Sequence, residues 1–335
     1  MNFSDWQSWL PLIFMVLMGV SMLAYVILDG YDLGVGMLMS WADSEEKNLM
    51  IASIGPFWDA NETWLVLGVG ILLVAFPLAH GVVLTALYLP TALMLGGLIL
   101  RGVSFDFRAK AQDHHKKKWD LAFIGGSMTA TWAQGYMLGL YVLGFETAWA
   151  GVAFASLTGL CLAAGYSFLG AAWLIMKTEH ALQKKAVRWA RLSLWGLTLG
   201  MALISLATPL MSDRIFDKWF SLPNFFFLLP IPLLTLAVLI GLELTLRRLP
   251  QDDDRQAWLP FAGGVLLFVL GFSGLAYSFF PYIVPDKITV WEAASAPEAL
   301  EVILAGVAVV LPCIIVYTVF AYRVFWGKVR ELSYD

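Results

Sequence analysis

The sequence predicts an all-α polytopic membrane protein: about nine transmembrane helices in bundles, with a periplasmic N-terminus and a cytoplasmic C-terminus. Three observations predict it. Hydrophobic residues fill 60% of the 335 positions and charged residues only 14%, against roughly 25% charged in a soluble domain. Nine apolar runs each come close to the ~20 residues a helix needs to cross the hydrocarbon core. Lys and Arg fall almost wholly on one side of the resulting topology, as the positive-inside rule requires. The runs are long and do not alternate, which selects helices over a barrel.

The first run, near 9–36, starts at Trp9. The segment MNFSDWQSWL ahead of it lacks the basic stretch of a cleavable signal, so a retained span is expected. The second and third runs, near 60–79 and 82–100, meet at an outer turn around His80. The fourth, near 120–144, follows a basic loop that holds Lys116, Lys117 and Lys118. The fifth and sixth, near 150–176 and 189–210, flank a loop from Lys177 to Arg188. The seventh, eighth and ninth lie near 222–245, 258–280 and 299–325. Connections are short and no low-complexity tract occurs, so residues 1–335 are expected to form a single transmembrane domain.

These runs alternate the connections between two sides. The side opposite the N-terminus receives Lys47, then Arg101, Arg108, Lys110 and the lysines at 116–118, then Lys177, Lys184, Lys185, Arg188 and Arg191. It also takes Arg247, Arg248, Arg255, Arg323, Lys328 and Arg330, which makes 18 of the 21 basic residues; Arg214, Lys218 and Lys287 remain on the N-terminal side. One span more or fewer early in the chain would swap the later loops and destroy the asymmetry. The tryptophans Trp9, Trp41, Trp58, Trp119, Trp149, Trp219 and Trp258 stand near span ends, as an interfacial belt does. Cys161 and Cys313 sit inside apolar runs with no metal or disulfide spacing. A net charge of -4 offers no basic face to nucleic acid.

With loops this short, any chemistry lies in the membrane or in a partner. The sharpest signal is Asp29-Gly30-Tyr31-Asp32-Leu33-Gly34-Val35-Gly36. Two carboxylates three apart share a helix face. A charge in hydrocarbon normally faces a protein interior or a water path. Asp29 lies about 30 Å down the helix from Trp9 at 1.5 Å per residue, in the cytoplasmic part of the membrane. Gly30 and Gly34 form a small-xxx-small pair that admits another helix. The alternative is a helix that has already emerged, with both aspartates hydrated. Asp59 and Glu62, again three apart, open the second span behind Pro56. They fit either a simple acidic helix start or a proton-passing cluster that meets Asp29 and Asp32. At the inner end of the third span, Arg101, Asp106 and Arg108 could pair locally, or bind an anionic group or a partner.

The histidines argue against a haem held by this chain. Only His80, His114, His115 and His180 exist, and no two of them fall within the spans to give axial ligands on facing helices. The scattered methionines read as packing, although Met can ligate haem iron. No phosphate-binding loop, dinucleotide fingerprint or zinc spacing is present.

Three motifs in order, DGYDLGVGML at 29–38, WDxNxxWL at 58–65 and R-x3-FDFR at 101–108, resemble subunit II of cytochrome bd-type quinol oxidases. The likeness in motif order covers roughly the first 110 residues, and NETWLVLG at 61–68 leans towards the cyanide-insensitive branch. The resemblance implies an accessory subunit in a heterodimer with subunit I, which lends it stability. Subunit I would carry haem b and haem d, or haem b in place of d, oxidise quinol and reduce dioxygen to water. The resemblance also implies a cytoplasmic proton path at Asp29, Asp32 and Asp59, with Glu62 less typical because relatives often have Gln there. A structural quinone on this subunit, a small single-span accessory subunit and a bacterial cytoplasmic (inner) membrane location are further expectations. The competing class is a stand-alone ion-coupled transporter with Asp29 and Asp32 as its ion site.

Overall fold

The computed structural model describes residues 6–251 and 254–329. Apolar sequence sets the long helices: α1 (Leu10–Leu38), α3 (Trp58–Ala75), α5 (Tyr88–Lys110), α6 (Asp113–Val142), α7 (Trp149–Lys177), α8 (His180–Met211), α11 (Pro230–Leu246), α12 (Leu259–Phe279) and α14 (Pro297–Val324). Among the described residues, eight stretches are long and apolar enough to cross a membrane, with Asn224–Leu246 taken as one. The ninth expected crossing is α6. At 30 residues it exceeds the ~20 needed, but its first turns, DHHKKKWD, and its later Gly, Ser, Thr and Gln keep it from being uniformly apolar.

Short elements fill the connections. The helix α2 (Ser44–Ile54) opens with a capping box: the Asp43 carboxylate accepts from Glu46 N–H, and the Glu46 carboxylate accepts from Asp43 N–H. This satisfies two of the donors every helix start leaves open. The Asp43 carboxyl is held below its ordinary value, chiefly by that Glu46 N–H. The outer turn expected at His80 is itself a helix, α4 (Pro77–Ala86). Pro77 cannot donate to continue α3, but it suits a first helical turn. The break moves the start of the third crossing from 82 to Tyr88. The remaining pieces are α9 (Asp213–Phe220), α10 (Asn224–Leu228), a two-stranded antiparallel pair β1 (Tyr282–Val284) and β2 (Ile288–Thr289), and α13 (Val290–Ala293).

Contacts divide the chain into two compact units. The first comprises Met1–Asp29, Pro56–Tyr88 and Phe279–Trp326; the second comprises Gly30–Gly55, Leu89–Ser278 and Gly327–Asp335. In the second unit α7 packs against both α6 and α8 along their lengths. Small residues make this possible. A Cβ on Gly135 would lie 2.6 Å from Gly159 Cα, and one on Gly200 would lie 2.7 Å from Cys161 Sγ. Helices in lipid gain no hydrophobic drive from meeting each other, so close backbone approach and dispersion hold them.

Ion pairs test which connections share an end. In the second unit, Lys47 meets Asp120 at 3.6 Å, and Lys185 meets Glu46 at 2.6 Å and Asp43 at 3.7 Å. Gln183 donates to the Asp254 carboxylate at 2.7 Å, and Lys328 pairs with Asp254 and donates to the Thr178 carbonyl. All five connections expected on the basic side are thereby tied together. In the first unit, Trp291 donates to the Ser8 carbonyl and Ser295 to the carbonyls of Val74 and Ala75. That joins the N-terminal segment, the end of α3 and the 281–298 segment at the other kind of end. Each unit thus groups connections that the sequence reading assigns to a single side.

Candidate functional site: buried acids at the basic end of α1

The inner half of α1 is pressed into its surroundings by its glycines. In the second unit, a Cβ on Gly30 would sit 2.7 Å from the Tyr166 ring. One on Gly34 would strike the Tyr166 carbonyl, and one on Gly36 would lie 2.9 Å from Ser127 Cβ. The expected close approach at Gly30 and Gly34 is thus made by α7, with α6 closing on Gly36. Tyr31 stacks on Trp173 at 4.3 Å and meets Phe261 edge-on at 5.7 Å. Trp173 in turn donates to the Ser53 carbonyl at 3.2 Å. With packing this close, both Asp29 and Asp32 have 0% of their surface exposed. Hydration of the two aspartates at the protein surface, one half of the alternative, is overturned.

The acids of the second motif behave differently. In the first unit, α3 begins at Trp58 behind Pro56, and Phe57 before it provides no side-chain cap. Asp59 is exposed and Glu62 half-buried. The residue of this motif that turns inward is Asn61, which is fully buried. Its amide donates to the Leu28 carbonyl at 3.2 Å and its side-chain oxygen accepts from Tyr322 O–H at 3.2 Å. Tyr322 also packs on Phe57, ring centroids 4.6 Å apart. Asn61 thus ties α3 and α14 to α1 at the residue before Asp29. It was missed as a site residue, although an amide set between two acids in an apolar run was visible.

In the third motif, Arg101 is almost fully buried, at 1% exposure. It sits where α5 and α6 touch backbone to backbone: a Cβ on Gly126 would lie 2.6 Å from the Gly97 carbonyl oxygen and 2.9 Å from Arg101 N. Arg108 forms its ion pair not with Asp106 but with Asp120, Nε to Oδ1 at 2.5 Å, with both groups buried. Asp106 is exposed, because a residue two before Arg108 lies on the opposite side of a helix. Phe107 stacks on Trp119 at 5.1 Å. Asp120 was missed because its partner lies twelve positions away on another helix.

The residues present do not fit a bis-ligated haem. His114 and His115 are exposed with adjacent rings, His180 opens α8 in an exposed position, and His80 lies in the short α4. No two of them face each other from crossing helices. Among the described residues, no group of three or more His, Cys, Asp or Glu is placed to hold a metal ion.

The family model for cytochrome bd terminal oxidase subunit II matches residues 10–325. The chain belongs to that family. Similar proteins include Cytochrome bd-I ubiquinol oxidase subunit 2 of Escherichia coli strain K12, 26% identical with 96% of each chain covered. Cytochrome bd ubiquinol oxidase subunit 2 of Bacillus subtilis is also 26% identical, over 94% of this chain and 96% of that one. In fold, the chain resembles a chain of the bd oxidase from Geobacillus thermodenitrificans, with a TM-score of 0.77 at 17% identity, covering 95% and 98% of the two chains. A cytochrome bd subunit II is a component of a quinol oxidase complex, an oxidoreductase of bacterial respiration, with subunit I as its partner and haem cofactors in the complex. The transporter class is thereby set aside.

Proposed function

We propose that this subunit II stabilises subunit I and carries protons from the cytoplasm towards the site of dioxygen reduction. Asp29 and Asp32 are the core of the path, and Asp59 and Glu62 lie on its approach. The observation that carries this reading is the complete burial of Asp29 and Asp32 on one face of a membrane helix. A carboxylate so placed is costly, and such residues mark ion and proton paths. The end of α1 towards which they lie leads to Lys47 and its ion-paired neighbours, the end that carries 18 of the 21 basic residues. On the positive-inside rule that end is cytoplasmic and the N-terminus periplasmic.

The exposed Asp59 suits a first contact for protons at the mouth of the path, with Glu62 one turn in. Of the third motif, the exposed Asp106 serves the interface with subunit I, while the buried Arg101 and the Asp120-paired Arg108 act within this chain, holding the inner end of α5. The whole chain acts as one transmembrane domain in the bacterial cytoplasmic membrane. The haems, haem b with haem d or a further haem b in its place, belong to subunit I; the positions of the four histidines support that. A structural quinone on this chain and a small single-span subunit complete the proposed complex.

The test is the assembled oxidase carrying Asp29→Asn, Asp32→Asn or Asp59→Asn. Oxygen consumption per haem should fall by roughly 10²-fold for the two buried acids, within the range of a positioned proton-transfer group. The affinity for quinol should stay as it was. Unchanged turnover with full haem content would refute the proton path and leave a purely structural subunit.

A further inference from the structure

The crossing of α1 and α6 brings a second polar side chain level with Asp32. Gly36 of α1 and Ser127 of α6 touch: a Cβ on Gly36 would lie 2.9 Å from Ser127 Cβ and 3.0 Å from the Phe123 ring. The two helices run in opposite directions, since α6 returns from the end at which α1 finishes. One turn back along α1 from Gly36, on the same face, is Asp32. One turn forward along α6 from Ser127, on the same face, is Thr131. Residues four apart stack on one helix face with a rise of about 6 Å. The Gly36–Ser127 contact therefore sets Asp32 and Thr131 opposite one another, all within the second unit.

Thr131 is fully buried. Its hydroxyl has no hydrogen-bond partner among the described residues. Its neighbours on the same face behave otherwise: Ser127 donates to the Phe123 carbonyl at 2.8 Å, and Gln134 accepts from Tyr166 O–H at 2.7 Å. A threonine in a membrane helix ordinarily satisfies its hydroxyl on the carbonyl one turn back, as Thr158 does on α7 with Phe154. A buried hydroxyl that forgoes this bond costs stability. A valine of the same shape would avoid the cost, so packing does not account for the hydroxyl.

We propose that Thr131 is a further residue of the proton path, acting on Asp32. The inference rests on the proton-path reading above. The hydroxyl donates to the ionised Asp32 carboxylate through one ordered water, and orients it. When a proton arrives, the carboxylate oxygen takes it. The neutral carboxyl then returns a proton to the hydroxyl or water oxygen while that group releases its own proton onward. Each group ends with the number of protons it began with, and no electron moves. Gln134 and Tyr166 continue the polar line along the same face of α6, where the missing side chain of Gly30 leaves room for the Tyr166 ring.

The experiment uses the assembled oxidase with Thr131→Val, Thr131→Ser and Asp32→Asn side by side. Turnover is normalised to haem and measured from pH 6 to 9 in light and heavy water. Thr131→Val keeps shape and loses the hydroxyl. Its turnover should fall about tenfold, less than for a lost acid because Asp32 remains. Its solvent isotope effect should rise and its pH profile should shift. Thr131→Ser should stay within about twofold of the wild type.

If Asp32→Asn is slow while Thr131→Val matches the wild type in rate, isotope effect and pH profile, the role of Thr131 is overturned and the acid path stands. If Asp32→Asn is itself normal, the path through Asp32 fails and takes the Thr131 role with it. If Thr131→Ser is as slow as Thr131→Val, the residue acts through packing and the proposal is overturned.

Discussion

Gly125 and Gly126 are consecutive in α6, and the structure assigns them opposite sensitivities to the same substitution. A Cβ on Gly126 would stand 2.6 Å from the Gly97 carbonyl oxygen and 2.9 Å from Arg101 N, whereas one on Gly125 meets nothing within 4 Å. The atoms in the way at Gly126 belong to the α5 backbone, so no rotamer change relieves the clash and α5 must move away from α6. Replacing Gly by Ala in a helix gains up to about 1 kcal/mol of propensity at either site. Overpacking costs about 1–3 kcal/mol at Gly126 alone. The propensity gain is common to both variants, so their difference isolates the clash. Gly125→Ala should match or slightly exceed the wild type in stability, and Gly126→Ala should fall about 1–3 kcal/mol below Gly125→Ala. The assay is thermal unfolding of the purified complex in detergent, followed by tryptophan fluorescence, where such a gap amounts to several degrees. Equal unfolding temperatures for the two variants would refute the backbone contact of α5 and α6, and with it the account of why Arg101 is buried.

Two further predictions follow from the ends of the helices. Asp120→Asn removes the carboxylate that holds Arg108 and Lys47. It should destabilise the complex by about 3–5 kcal/mol, as for one partner of a buried pair. The exposed Asp106 replaced by Asn should stay within about 0.5 kcal/mol; equal effects in thermal scans would contradict the pairing. The capping box of α2 should fail in acid. The Asp43 carboxyl is held below its ordinary 3.8 by the Glu46 N–H. It therefore stabilises the folded state fully above that value, and the contribution is lost as pH falls through the lowered one. Hydrogen exchange at α2 amides should speed up below about pH 4, and Asp43→Ala should remove the pH dependence. Exchange that ignores both the acid and the substitution would rule the cap out.

The crossings were legible because burying about 20 apolar residues in lipid leaves a signal that local detail does not erase. The sequence was weaker where two effects compete. Pro77 sits inside an apolar run, so the end of α3 and the start of α4 read as one span. The first turns of α6 are charged, so its length, not its hydropathy, marks it as a crossing. The capped helix α2 lies in a connection with only Asp43 and Glu46 to announce it. At the site, the burial of Asp29 and Asp32 could be read from acids set in an unbroken apolar helix among glycines. The rotation of α3 could not, because the spacing of Asp59 and Glu62 gives a shared face without saying which way it points. In the structure that helix turns Asn61 inward instead. The Arg108–Asp120 pair joins different helices, and spacing along one helix is silent about such partners.

These details bear on why the acids belong to a glycine-rich segment. A carboxylate alone in a membrane helix would be hydrated, or would drag water to itself, wherever its neighbours packed loosely. Gly30, Gly34 and Gly36 bring α7 and α6 onto α1 until backbone meets backbone. Tyr31 is clamped against Trp173 and Phe261 in the same stretch. The rigidity of that contact keeps Asp32 at a fixed level against α6. A looser crossing would admit water along the whole face and make the position of any one donor irrelevant. The same glycines thus hold the helix pair together and fix the level of Asp32 against α6, so on the proton path proposed above Gly36→Ala should slow turnover per haem even where the complex still assembles.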